Sequence, residues 1–308
     1  MSLIAEAPGF LQVFSDGLVQ RFDPPIAEAS SELNNGYRSK DVIIDSSKPI
    51  SGRIYLPDTH GSTGLLPVLV YFHGGGFCIG STTWSGYHYF LGDLSVTSQC
   101  IILSVDYRLA PENRIPAAYD DCFSSLGWLS RQVDSDPWLK QVDLSRVFLS
   151  GDSAGGNIVH NVALLVMKFK VSQLKIKGLL LIHPYFGSEK RTEREVADGA
   201  EDDVEMNDMF WRLSLPIGST RDHFACNFKM ATLSKLDWHQ FPEVVVYVAG
   251  LDFLKERGVM YSEFLKKKKA KVKLVEAENG SHVYHVFHPD SEATHLLQRQ
   301  MSEFMNRF

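Results

Sequence analysis

RVFLSGDSAGGNIVHNVALL, residues 146–165, decides the fold. Val147, Phe148 and Leu149 make a short apolar run suited to a strand. Beyond the small residues, Ala154, Ile158, Val159, Val162, Ala163 and Val166 recur at helical spacing. A strand therefore turns into a helix through Gly151-Asp152-Ser153-Ala154-Gly155. Such a turn either cradles phosphate on the helix N-terminus or lifts a nucleophilic serine into the open. Gly151 and Gly156 have the spacing of a Walker A loop, but Asn157-Ile158 stand where Lys-Ser/Thr would supply the charge and the magnesium ligand. No G-x-G-x-x-G occurs either. G-x-S-x-G does fit: so tight a turn strains the serine backbone, and only small neighbours avoid collision.

Apolar runs suited to strands continue on both sides of this turn, at 41–45, 52–56, 67–72, 100–105, 146–150, 176–182, 243–248 and 271–276. From the third onward, helical patterns at 115–132, 154–168, 258–269 and 290–307 separate many of them. Continuous apolar strands alternating with amphipathic helices predict an α/β architecture, a mostly parallel sheet of eight strands covered on both faces. No repeat or low-complexity linker divides residues 1–308, which read as one domain. Two stretches break the rhythm, residues 1–36 and 187–240. Insertions into α/β sheets gather at the ends where ligands bind, so both are candidate lid elements. The acidic run Glu201-Asp202-Asp203 reads as a solvated loop, and the basic run Lys266 to Lys269 as a helix C-terminus, where cations suit the dipole.

A serine hydroxyl needs a base, and the base needs an orienting carboxylate. In strand-turn-helix enzymes of this kind the order is Ser, then Asp or Glu, then His, each just after a strand. Asp252 follows PEVVVYVAG, and His282 follows KVKLVEAE in ENGSHVYHVF. Both predict side chains at the sheet edge that carries Ser153. His285 and His288 are rivals; His282 is preferred because it shares a loop with Gly280 and the others lie closer to the terminal helix. His73-Gly74-Gly75-Gly76 follows the strand PVLVYF, and its bare backbone N–H groups, with that of Ala154, would make a three-donor oxyanion hole.

The whole chain sets bounds. A formal net charge of −6 gives no reason to expect nucleic acid or an anionic membrane as partner. The longest apolar run, Leu65 to Phe72, is too short to cross a bilayer, and no basic-then-apolar leader opens the sequence. Cys78, Cys100, Cys122 and Cys226 include no C-x-x-C pair, which predicts buried free thiols in a reducing, cytosolic setting and no zinc site. The sequon Asn279-Gly280-Ser281 would place a glycan against the proposed site and is read as chance.

His73-Gly74-Gly75-Gly76 together with Gly151-Asp152-Ser153-Ala154-Gly155-Gly156-Asn157 resembles the hormone-sensitive-lipase group of α/β-hydrolases. DYRLAPENRIPAAYDD (106–121) and FWRLSLPIGSTRDH (210–223) resemble its plant carboxylesterase branch. The resemblance runs over nearly the whole chain. It implies an α/β-hydrolase fold, a Ser153–Asp252–His282 triad, an oxyanion hole at Gly75, Gly76 and Ala154, and an N-terminal segment folding over the pocket as a lid. Hydrolysis of a small-molecule ester through an acyl-enzyme is expected, with no metal or organic cofactor. Short-acyl or lactone esters are the expected class, plant secondary metabolites or strigolactones among them. The same branch holds lyases, dehydratases and cyclases, and hormone receptors that lack the histidine; here serine, histidine and all three glycines are present. His73, Asp106, Arg108 and Asp152 are expected to support loops. Phe10, Phe14, Trp84 and Trp211 read as core, and Phe77, directly after the glycine loop, as a pocket residue.

Overall fold

A computed structural model describes residues 2–59, 61, 64–169, 174–230 and 233–308. Three short strands come first, β1 (Leu3–Ala7), β2 (Leu11–Phe14) and β3 (Val19–Arg21), forming an antiparallel sheet of their own. Next come β4 (Tyr37–Asp45), β5 (Ile50–Pro57), β6 (Leu66–Phe72), α1 (Ser85–Ser98), β7 (Ile101–Asp106) and α2 (Ala117–Gln132). They are followed by β8 (Val142–Asp152), α3 (Ala154–Phe169) and β9 (Ile176–Ile182), then α4 (Glu201–Ser214) and α5 (Lys235–Gln240). The chain closes with β10 (Glu243–Ala249), α6 (Lys255–Lys267), β11 (Val272–Ala277), α7 (Tyr284–Phe287) and α8 (Glu292–Met305).

The eight apolar runs each fall in one strand of the main sheet, whose order is β11-β10-β9-β8-β6-β7-β5-β4. β4 and β5 pair antiparallel, as do β5 and β7; all other neighbours are parallel. β6 shows why its apolar run is unbroken. Val68, Val70 and Phe72 enter the core beneath α2, α3 and α6, while Leu69 and Tyr71 enter the core beneath α1 and α8. Alternate side chains thus serve opposite faces, and both faces are covered. The carboxyl ends of the parallel strands point to one edge, where ligands bind in such sheets.

Three expectations need correction. The acidic run is no loop: Glu201, Asp202 and Asp203 form the first turn of α4, where carboxylates suit the positive end of the helix dipole. Residues 1–36, expected to precede the first strand, hold β1 to β3. Helix α1 is not among the expected helical patterns; it carries two glycines, Gly86 and Gly92, which weaken an isolated helix. They are instead points of close approach: an added Cβ at Gly92 would collide with the ring of Tyr37, and one at Gly86 with the Val286 carbonyl. The basic run does close a helix, with Lys266 and Lys267 in the last turn of α6.

Candidate active site

Ser153 leaves β8 with φ of +51°, the left-handed region that costs a residue with a Cβ. Its N–H donates to the Ile182 carbonyl (2.9 Å), and its own carbonyl accepts from Tyr185 N–H (2.9 Å), so the turn is tied to the end of β9. Gly155 must lack a side chain because a Cβ would collide with the Phe72 carbonyl at the end of β6. The sharp bend leaves Ser153 Oγ 3.1 Å from Nε2 of His282, and Nδ1 of His282 is 2.8 Å from Oδ2 of Asp252. A neutral imidazole satisfies both contacts with its proton on Nδ1, donating to the carboxylate while Nε2 accepts from the hydroxyl. The other Asp252 oxygen accepts from Leu254 N–H (2.8 Å).

Asp252 is 2% exposed and the His282 side chain 36%, so the carboxylate end of this line is dry and the imidazole reaches water. Burial pushes the Asp252 pKa up, but the His282 ring and its hydrogen bond outweigh that and hold the carboxyl below its usual value. Burial likewise pulls His282 down, and the Asp252 charge and hydrogen bond outweigh it, leaving the imidazole above its usual value. Each partner favours the charged form of the other.

The glycine loop faces this line from the end of β6. Gly75 and Gly76 have φ of 101° and 57°. Both pack too closely for a side chain: a Cβ on Gly75 would strike the Ile79 carbonyl, and one on Gly76 would lie 2.5 Å from the Phe210 ring. Among the described residues no acceptor takes the N–H groups of Gly75 and Gly76. Ala154 is the first residue of α3, where backbone N–H groups have no partner within the helix. Gly74 is held instead: its N–H donates to Tyr87 Oη (2.9 Å), which donates to Asp152 Oδ2 (3.0 Å). Tyr71 Oη donates to the other oxygen of Asp152 (2.8 Å). One fully buried carboxylate thus joins the glycine loop to the serine turn. Burial raises its pKa, and the two phenols oppose the rise.

The other residues singled out in the sequence make loop contacts. His73 stacks on Tyr107 (centroids 4.3 Å apart), Asp106 accepts from Thr82 N–H (2.9 Å), and Arg108 pairs with buried Asp121 (2.7 Å). His285 is fully buried against Phe90 and 3.3 Å from Tyr71 Oη, and burial holds it well below the usual histidine value. His288 is exposed; of the three histidines, only His282 bonds Ser153.

Ser153, Asp252, His282, Gly75 and Gly76 line a cavity of about 390 Å³. Phe10 and Trp84 line it too, against expectation, while Phe77 does not: it is 1% exposed and packs on Trp211 and Tyr119. Trp211 stacks on Tyr185 beneath the cavity wall, 4.3 Å between centroids. Helix α4 contributes Asp203, Met206, Asn207 and Phe210, a stripe at i, i+3, i+4 and i+7. In sequence its acidic start reads as loop, which hides this stripe.

His183, directly after β9, escaped the sequence reading altogether, since a lone histidine behind an apolar strand carries no motif. A nitrogen of His183, a nitrogen of His282 and an Asp252 oxygen lie within 4.8 Å of one another, a spacing that could hold a metal ion. Asp252 and His282 are bonded to each other, and His183 Nδ1 accepts from Val283 N–H (2.9 Å), so these atoms serve hydrogen bonds. The four cysteines are buried and unpaired. Among the described residues no helix is long and apolar enough to cross a membrane.

Residues 69–286 match a family model described as the alpha/beta hydrolase fold. A probable carboxylesterase of Arabidopsis thaliana is 37% identical over 311 residues, 97% of this chain and 89% of that protein. An amyloplastic tuliposide A-converting enzyme of Tulipa gesneriana is 38% identical over 304 residues, 96% of this chain and 78% of that protein. Among solved structures, an esterase of Pyrobaculum calidifontis aligns with a TM-score of 0.75 and 27% identity, over 87% of this chain and 84% of that one. With the sheet order, the serine turn and these matches in hand, the chain belongs to the α/β-hydrolase family.

Proposed function

We propose that this protein is a serine carboxylesterase that hydrolyses short-acyl or lactone esters of small molecules through an acyl-enzyme. The observation that carries the reading is the hydrogen-bonded line Asp252–His282–Ser153 opening into a cavity beside uncommitted backbone donors. His282 takes the hydroxyl proton at Nε2 as Ser153 Oγ attacks the ester carbonyl. The N–H groups of Gly75, Gly76 and Ala154 hold the oxyanion. The imidazolium then protonates the leaving alcohol, and water, deprotonated by the same nitrogen, releases the acid. Asp252 keeps the proton of the neutral ring on Nδ1 and stabilises the cation. The likeness to carboxylesterases and to an esterase fold supports this chemistry. A cavity of about 390 Å³ suits small esters, including plant secondary metabolites and strigolactones.

The reading extends to the chain as a whole. Residues 1–308 act as one domain, in which 1–36 serve as a lid that brings Phe10 to the cavity and 187–240 as a cap that brings the α4 stripe. The location is cytosolic, in keeping with four unpaired buried thiols, and a fluorescent fusion found in plastids would contradict it. A purely hormone-binding role gains nothing from a strained serine with a positioned base. The test is labelling with a fluorophosphonate. The reading predicts one adduct on Ser153, blocked in Ser153→Ala, and turnover of p-nitrophenyl acetate lost in parallel. Labelling without ester turnover would favour a lyase of the same family; no labelling would remove the nucleophile.

A further inference from the structure

The loop that carries His282 is held at one point by a second histidine. Val283, next in the chain, has φ of +45°, and His183 has φ of +46°. One hydrogen bond joins these two left-handed residues, Val283 N–H to His183 Nδ1 at 2.9 Å. The His183 ring is 2% exposed, packed 5.4 Å from Tyr284 and 5.9 Å from His282 between centroids. Its backbone is anchored as well, the N–H donating to the Tyr247 carbonyl of β10 (2.8 Å). A fixed strand end thereby grips the residue that follows the proposed base.

We propose that His183 is a positioning residue, accepting the Val283 N–H to hold the His282 ring in line between Ser153 and Asp252. The inference rests on the reading of His282 as general base. Nδ1 can accept only when it carries no proton, and burial pulls this imidazole down to about 3 against the upward pull of the Asp252 charge. The ring is therefore neutral throughout the working pH range, and its proton sits on Nε2. Neutrality matters for a second reason. A cation so close to His282 would oppose formation of the imidazolium, whereas a neutral ring holds the loop without that cost. Without the acceptor, the part-buried Val283 N–H loses its partner, and the loop is free to leave a conformation that already costs its β-branched residue.

The chemistry separates this role from packing. In His183→Asn the side-chain oxygen takes the place of Nδ1, and Asn tolerates the left-handed backbone; His183→Leu keeps bulk but has no acceptor. The expected result with p-nitrophenyl butyrate is a kcat loss of tenfold or more in His183→Leu, with KM within twofold. His183→Asn should stay within threefold of wild type. If Leu matched or exceeded Asn, or if both folded and both were equally impaired, the inference would be overturned. Amide exchange at Val283 in the wild-type protein checks the same bond without any variant. Slow exchange is expected, and exchange at the rate of an unprotected amide would contradict it. Wild-type rates in Ser153→Ala would instead sink the esterase reading, which these His183 comparisons alone cannot do.

Discussion

A serine hydroxyl is a weak nucleophile at neutral pH, so in the proposed mechanism the rate at Ser153 depends on the state of His282. Only the neutral ring can accept the proton, and the Asp252 charge raises its pKa above the ordinary 6.5. The rise of kcat/KM with pH should therefore have its midpoint above 6.5. In Asp252→Asn the supporting charge is gone while burial still favours the neutral form. The midpoint should move down, and kcat should fall by about four orders of magnitude if the wrong tautomer results. A pH–rate profile of the two proteins checks both, and an unmoved midpoint would detach Asp252 from His282. His282→Ala should lose nearly all turnover. His285→Ala, which touches Tyr71 rather than Ser153, should retain chemistry and lose stability instead.

The next scale is the element, where two loops and one helix meet. Gly75→Ala adds a Cβ onto the Ile79 carbonyl at a φ of 101° and so displaces a proposed oxyanion donor. Loss of one donor is worth about 2.7–4 kcal/mol of barrier, so kcat should fall by roughly a hundredfold or more with little change in KM. Tyr87→Phe breaks the link from Gly74 to Asp152 and leaves that N–H and one carboxylate oxygen short of a partner. It should cost about 1–3 kcal/mol of unfolding free energy, read from a denaturant curve, and lower kcat through the loosened glycine loop.

These elements were unevenly legible. The serine turn, the glycine loop and the positions of Asp252 and His282 could be read because each follows an apolar strand and so must emerge at one sheet edge. Helix α1 could not, since its glycines answer to Tyr37 and Val286, which are distant in sequence. The α4 stripe was masked by its acidic first turn. His183 and the Tyr71–Asp152–Tyr87 cluster have meaning only through partners brought together by the sheet. Phe77 was misassigned because adjacency to the glycine loop in sequence does not aim a side chain at the cavity.

Across the whole molecule, the small N-terminal sheet is stitched to the body near the site. Arg21 on β3 donates to the carbonyls of Cys78 (2.7 Å) and Ala110 (2.9 Å) and pairs with Glu112 (2.6 Å). Cys78 itself lies just beyond the glycine loop. Phe10 forms part of the cavity wall, so under the proposed reading the sheet would shape the substrate volume and leave the chemistry to Ser153 and His282. Phe10→Ala should therefore raise KM for butyrate esters several-fold and leave kcat within about twofold, since uniform binding is lost rather than transition-state stabilisation. A kcat loss as large as that of Gly75→Ala would mean that the sheet takes part in assembling the oxyanion site.

The central claim is that Ser153 becomes acylated during turnover. The most direct measurement is the pre-steady-state release of p-nitrophenol from p-nitrophenyl acetate, recorded by stopped flow for wild type and Ser153→Ala. A fast phase with an amplitude equal to the concentration of active protein, absent from the variant, is the predicted result when deacylation is slower than acylation. If both proteins released p-nitrophenol at the same rate, catalysis would not pass through Ser153 and the account would be wrong.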